Sequence, residues 1–70
     1  MSEEVVSEEV GLLAGKIWNF LNAKGEVPVL VLKTKLGVPN SLLYLALGWL
    51  MREEKIYIKK ETKDYRVGLQ

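Results

Sequence analysis

The sequence predicts an α+β fold: a three-helix core with a short first strand and a C-terminal two-stranded hairpin. Three observations predict it. Apolar residues recur at helical spacing in two stretches, residues 10–21 and 42–50. A β-branched piece containing a proline lies between them, over residues 26–36. Finally, apolar and polar residues alternate over residues 55–60 and 65–69, on either side of the polar turn Glu61-Thr62-Lys63-Asp64.

The first helix opens at Ser7-Glu8-Glu9, where a hydroxyl can cap the start and two acids suit the positive end of the helix dipole. Val10, Leu13, Ala14, Ile17, Trp18 and Leu21 follow at helical spacing, and Gly25 is free to take the left-handed conformation that closes a helix. Gly11 and Gly15 share a face of it. The segment is too charged and short to be a membrane helix, and Gly15-Lys16-Ile17 has neither the glycine spacing nor the hydroxyl of a phosphate loop. The pair is expected to let a second element approach the backbone closely.

The middle piece carries two signals. Its valines and Pro28 suit a buried strand, whereas Val29, Leu32, Lys33 and Leu36 follow a helical repeat that Pro28 could start. A short strand at Glu26-Val27 and a second helix over residues 28–36 satisfy both. The third helix follows the turn Gly37-Val38-Pro39, with Asn40 or Ser41 available as its cap. Leu43, Ala46, Leu47 and Leu50 form its core stripe, and Leu42, Leu45 and Trp49 a second apolar stripe on a neighbouring flank. In the hairpin, Ile56 and Ile58 share one face while Tyr57 and Lys59 share the other. Tyr65, Val67 and Leu69 then lie opposite Arg66 and Gly68.

Seventy residues make one domain, 1–70, with residues 1–6 expected as a loose acidic segment. Cysteine and histidine are both absent, which excludes disulfides, thiolate metal sites and the usual zinc ligand and general base. No cofactor, metal or small-molecule substrate is expected. The longest apolar run is ten residues, well short of the roughly 20 that a membrane-spanning helix needs. The acidic start lacks the basic region of a secretory signal, so the cytoplasm is the expected location. Self-association is the route to extra stability that this composition leaves open for so small a core. The net charge of +1 hides an asymmetry: from Val10 onward ten basic residues face five acidic ones. An anionic partner would meet that body favourably, although the same charges also serve as ordinary solvated surface.

The order helix, short strand, helix, turn, helix, hairpin is the winged helix-turn-helix plan. The run Ala46-Leu47-Gly48-Trp49-Leu50-Met51-Arg52-Glu53-Glu54-Lys55-Ile56, with Ile17-Trp18 in the first helix, resembles a prokaryotic winged helix-turn-helix family of unknown function. That family's signature is Ala-Leu-Gly-Trp-Leu-x-Arg-Glu-x-Lys-Ile, and the resemblance covers residues 8–69. It implies the fold and, by analogy with other winged helices, a transcription-regulator-like link to DNA; it carries no agreed activity.

Winged-helix regulators place the third helix in the major groove, where Arg, Lys, Asn or Gln read base edges. Here Asn40, Ser41, Tyr44 and Arg52 form the polar part of the expected exposed face, but its middle is Tyr44, Leu45, Gly48 and Trp49. Such a surface has almost no hydrogen-bonding code. Leu42, Leu45, Gly48 and Trp49 suit a protein interface instead, most simply a homodimer through the third or first helix; the alternative is that Trp49 folds onto its own chain. Lys33 and Lys35 on the second helix, with Lys59, Lys60, Lys63 and Arg66 on the hairpin, are candidate DNA-phosphate contacts without sequence information. Lysines on a hairpin also block edge-to-edge association. No nucleophile–base pair can be assembled, so no catalytic residue is expected. Two readings therefore stand: a module with weak, phosphate-directed DNA binding, or a protein-interaction module that has kept the fold.

Overall fold

A computed structural model describes residues 5–70. The elements are α1 (Ser7–Lys24), β1 (Val27–Pro28), α2 (Val29–Leu36), α3 (Asn40–Arg52), β2 (Ile56–Lys60) and β3 (Tyr65–Leu69). Of the expected acidic segment, residues 1–4 lie outside the described residues, while Val5 and Val6 are exposed.

α1 and α3 pack against each other through the stripes read from the sequence. Leu13, Ala14, Ile17 and Leu21 meet Leu43, Ala46, Leu47 and Leu50, and Val29, Leu32, Ile56 and Val67 complete the buried cluster. Among the described residues no polar or charged side chain is buried. The three strands are antiparallel in the order β1-β3-β2, so the last strand of the chain is the central one. Val27 pairs with Val67 and Pro28 with Arg66; Ile58, Lys59 and Lys60 pair with Val67, Arg66 and Tyr65. Pro28 has no N–H to donate, which an edge strand tolerates. It ends β1 in extended conformation (φ −63°, ψ 146°) and at the same time occupies the N-cap of α2. The strand therefore runs one residue later than expected, over Val27–Pro28, and the helix starts at Val29.

The helix caps differ from expectation. Ser7 is already helical, with Val6 at the N-cap, because the Val6 carbonyl accepts the first helical hydrogen bond, from Val10 N–H at 2.9 Å. Likewise Asn40 opens α3 from inside the helix, and Pro39 at the N-cap accepts from Leu43 N–H at 3.0 Å. Neither helix start has a side-chain cap. Asn40 is thus left with its carboxamide free, next to first-turn N–H groups that have no partner within the helix. Gly25 has positive φ but extended ψ (83°, −163°), whereas Gly37 closes α2 in the left-handed conformation.

α3 ends in a Schellman motif. Lys55 N–H reaches back to the Leu50 carbonyl and Glu54 N–H to that of Met51, with Glu54 at φ 60°. Glu53 and Glu54 consequently lie beyond the last helical residue. Gly11 and Gly15 likewise depart from expectation. A β-carbon at either would meet nothing within 4 Å, because the two line an open groove between α1 and the Trp49–Leu50 side of α3 and not a close helix contact.

Candidate nucleic-acid interface

A cleft of about 320 Å³ opens between α2, the start of α3 and the hairpin turn. Lys33 borders it from α2, Asn40 and Tyr44 from α3, and Lys63, Asp64 and Tyr65 from the hairpin; Val29, Leu30 and Leu43 complete the wall. Asn40 and Tyr44 are one helical turn apart and so point the same way. The hairpin turn is held closed by Glu61 N–H donating to the Asp64 carbonyl at 2.7 Å, which fixes Lys63 and Tyr65 relative to each other. Two cations, a carboxamide and two phenols converge here, with the Asp64 carboxylate as the one opposing charge. Lys60 pairs with Tyr65 across the strands and shares its face of the sheet.

The six basic residues expected to contact phosphate do not form one surface. Lys33, Lys60 and Lys63 are on the cleft side. Lys35 is exposed, but two residues beyond Lys33 it lies on another side of α2. Lys59 and Arg66, a cross-strand pair, project from the reverse face of the sheet and are engaged by Glu26. The carboxylate of Glu26 accepts from Tyr57 Oη at 2.6 Å and from Arg66 Nε at 2.7 Å, and Lys59 Nζ stands 3.2 Å away. Lys59 Nζ also sits 5.9 Å over the Tyr57 ring. One carboxylate is thus shared by two cations, which offsets part of their charge where they stand. On α3, Arg52 is twelve residues from Asn40, about 18 Å along the axis; it and Ser41 are exposed but do not border the cleft.

The Glu26 knot sets a pH dependence. The hydrogen bond from Tyr57, then those from Arg66 and Lys59, hold the Glu26 carboxyl down at about 2 against an ordinary 4.5. A depressed carboxylate contributes stability that is complete above its unfolded value and is lost as pH falls through its folded one. Glu26→Gln is therefore expected to melt below the native protein at neutral pH, with the gap closing between about pH 4.5 and pH 2. Melting curves across that range check this; a gap unchanged at the acid end would mean that the ionised carboxylate contributes nothing.

Residues 1–69 match the model of the family described as Winged helix-turn-helix domain (DUF2582). The chain belongs to that family. Among its relatives is the uncharacterised protein MJ1608 of Methanocaldococcus jannaschii, 31% identical over 64 residues that cover 89% of this chain and 91% of that protein. Among solved structures, the fold is similar to that of the Zalpha domain from Carassius auratus PKZ in complex with Z-DNA. The TM-score is 0.76, with 21% identity and coverage of 89% of this chain and 98% of that one. A likeness at that identity is one of fold.

In this DUF2582 domain three of the four residues expected at one interface border three different concavities. Leu42 faces one with Glu9, Leu12 and Lys16; Trp49 borders a groove with Gly11, Gly15 and Trp18 of α1; Gly48 opens towards Tyr44, Met51 and Ile58. Leu45 is 54% and Trp49 52% exposed, so Trp49 lies half covered beside α1 and outside the core. No helix among the described residues is long and apolar enough to cross a membrane. Two residues of consequence escape the sequence reading. Tyr65 looks like an inward-facing hairpin residue by alternation, yet at the first position of β3 it is 50% exposed. Gly68 looks incidental, yet the Tyr57 ring lies over it, with the ring ζ-carbon 2.6 Å from where a β-carbon would stand. The cross-strand partnership of a tyrosine and a glycine is the one signal that could have marked the second.

Proposed function

We propose that this domain is a non-enzymatic DNA-binding module of the prokaryotic cytoplasm that holds the sugar–phosphate backbone in the cleft between α2, α3 and the hairpin. The observation that carries this reading is the convergence of Lys33, Lys63, Asn40, Tyr44 and Tyr65 on one concavity, with Lys60 on the same side. The lysines meet phosphates as point charges. Asn40 and the open N–H groups at the start of α3 supply hydrogen-bond donors, and the tyrosines pack against sugar and base edges. Beyond Asn40 the helix offers Tyr44, Gly48 and Met51 along this side, which cannot distinguish base pairs in a groove. Binding is therefore tolerant of sequence and steep in salt. A fold neighbour in complex with Z-DNA is in keeping with this use of the architecture. In fluorescence anisotropy against labelled DNA, log K should fall against log salt with a slope of about −2 to −3, as two or three neutralised phosphates require. No association even at low salt would overturn the reading.

A second reading rests on a different observation, the half-exposed Trp49 and the glycine-lined groove beside it. Through it the domain forms a homodimer or receives a protein partner. Trp49→Ala should then lower the solution mass from dimer to monomer in light scattering, whereas a monomer mass for the native protein would exclude the dimer.

A further inference from the structure

A second concavity adjoins the cleft and shares its wall. Val29, Tyr44 and Tyr65 border both. Beyond them Leu47, Gly48, Met51 and Ile58 enclose about 210 Å³ whose lining is almost entirely carbon. One side of the tyrosine pair is thus cationic and polar, and the other is an apolar slot. A β-carbon at Gly48 would meet nothing within 4 Å, so the slot is open at the helix surface and is not filled by the protein's own packing.

A ligand that occupies both halves carries an anionic group within reach of Lys33 and Lys63 and, next to it, a flat or apolar body. A nucleotide whose base is unpaired and unstacked has this form. Its phosphate meets the lysines, its base lies against the phenol rings, and the base plane enters the slot. In B-form duplex the bases are paired and stacked inside, so only the sugar–phosphate backbone and base edges can reach the cleft, no base face is offered to the rings, and the slot stays empty. Aromatic platforms beside a cationic groove are a sequence-tolerant way to hold single strands, and α3 has no base-reading code that would reward a duplex. From this we infer that the domain prefers single-stranded or locally unpaired DNA to B-form duplex, with Tyr44, Tyr65 and the slot formed by Leu47, Gly48, Met51 and Ile58 as the base subsite. The inference rests on the DNA-binding reading and goes further by naming the form of DNA.

The test compares a short labelled mixed-sequence oligonucleotide with the same strand annealed to its complement and with a strand of abasic sites, all by anisotropy at one low salt concentration. The base-bearing strand should bind about tenfold more tightly than either of the others, the ratio expected from one base stacked on an aromatic ring. Gly48→Leu should erase most of that ratio and leave duplex binding within about twofold, whereas Tyr65→Ala, at a residue that also borders the cleft, should weaken the base-bearing strand more than the duplex. Gly48→Ala removes a helix-interior glycine and is expected to raise the melting temperature; reduced strand binding by this more stable variant separates the slot from the integrity of the fold. Equal or tighter binding of duplex, or undiminished binding of the abasic strand, overturns the inference and leaves the DNA-binding reading in place. Failure of all three ligands to bind overturns both.

Discussion

Gly68→Ala is expected to destabilise the domain by about 1–3 kcal/mol, the usual range for forcing extra volume into a packed site. For a chain of this size that is a fall in melting temperature of roughly 5–20 °C. Gly68 lies on the central strand, directly across from Tyr57, and the added methyl would occupy the space of the tyrosine ring. β3 is paired on both sides and cannot easily retreat. The ring must therefore swing away, and in doing so it surrenders its hydrogen bond to Glu26 and uncovers the glycine it shields. The cost is specific to that pair. In a Tyr57→Ala background the same substitution should be neutral or slightly favourable, since glycine in a strand interior is otherwise a weakness. Thermal melts of the four proteins in the cycle measure the coupling, and an equal cost in both backgrounds would locate the strain elsewhere.

Reversing both cleft lysines, Lys33→Glu with Lys63→Glu, is expected to weaken DNA association about a hundredfold at low salt, about tenfold for each cation turned into an anion. The salt slope should become shallower by about two. Lys16→Glu makes the control for net charge, because Lys16 borders a different concavity with Leu12 and Leu42. It should alter affinity by no more than about threefold. If Lys16→Glu weakened binding by the roughly tenfold expected of a single cleft reversal, Lys33→Glu or Lys63→Glu alone, overall charge and not the cleft would govern association. The order of effects is thus a test of place as well as of sign.

The elements themselves follow from local pattern. Helical spacing of Leu13, Ala14, Ile17 and Leu21, and of Leu43, Ala46, Leu47 and Leu50, selects the two faces that bury. Alternation around Glu61-Thr62-Lys63-Asp64 places the hairpin, and a Pro28 next to a helical repeat gives a strand that passes directly into α2. Caps shift by one residue because the carbonyl that accepts the first helical bond, and not the presence of a hydroxyl, decides where a helix begins. Ser7 and Asn40 fall on the inner side of that line.

What the site does could not be read in the same way. All six candidate phosphate contacts are equivalent as sequence, since each is a basic residue on a surface element. Their division depends on strand register, which sets Lys59 beside Arg66 and Lys60 beside Tyr65 on opposite faces of one hairpin. It depends as well on Glu26, which reaches Tyr57 and Arg66 across 31 and 40 residues of chain. Periodicity reports which side of each element is greasy, and that alone determines the three helices, the hairpin and the core. Only the packed chain decides which charges are already answered and which remain free around Tyr44 and Tyr65, because charge pairing acts through space between residues whose distance along the chain carries no signal.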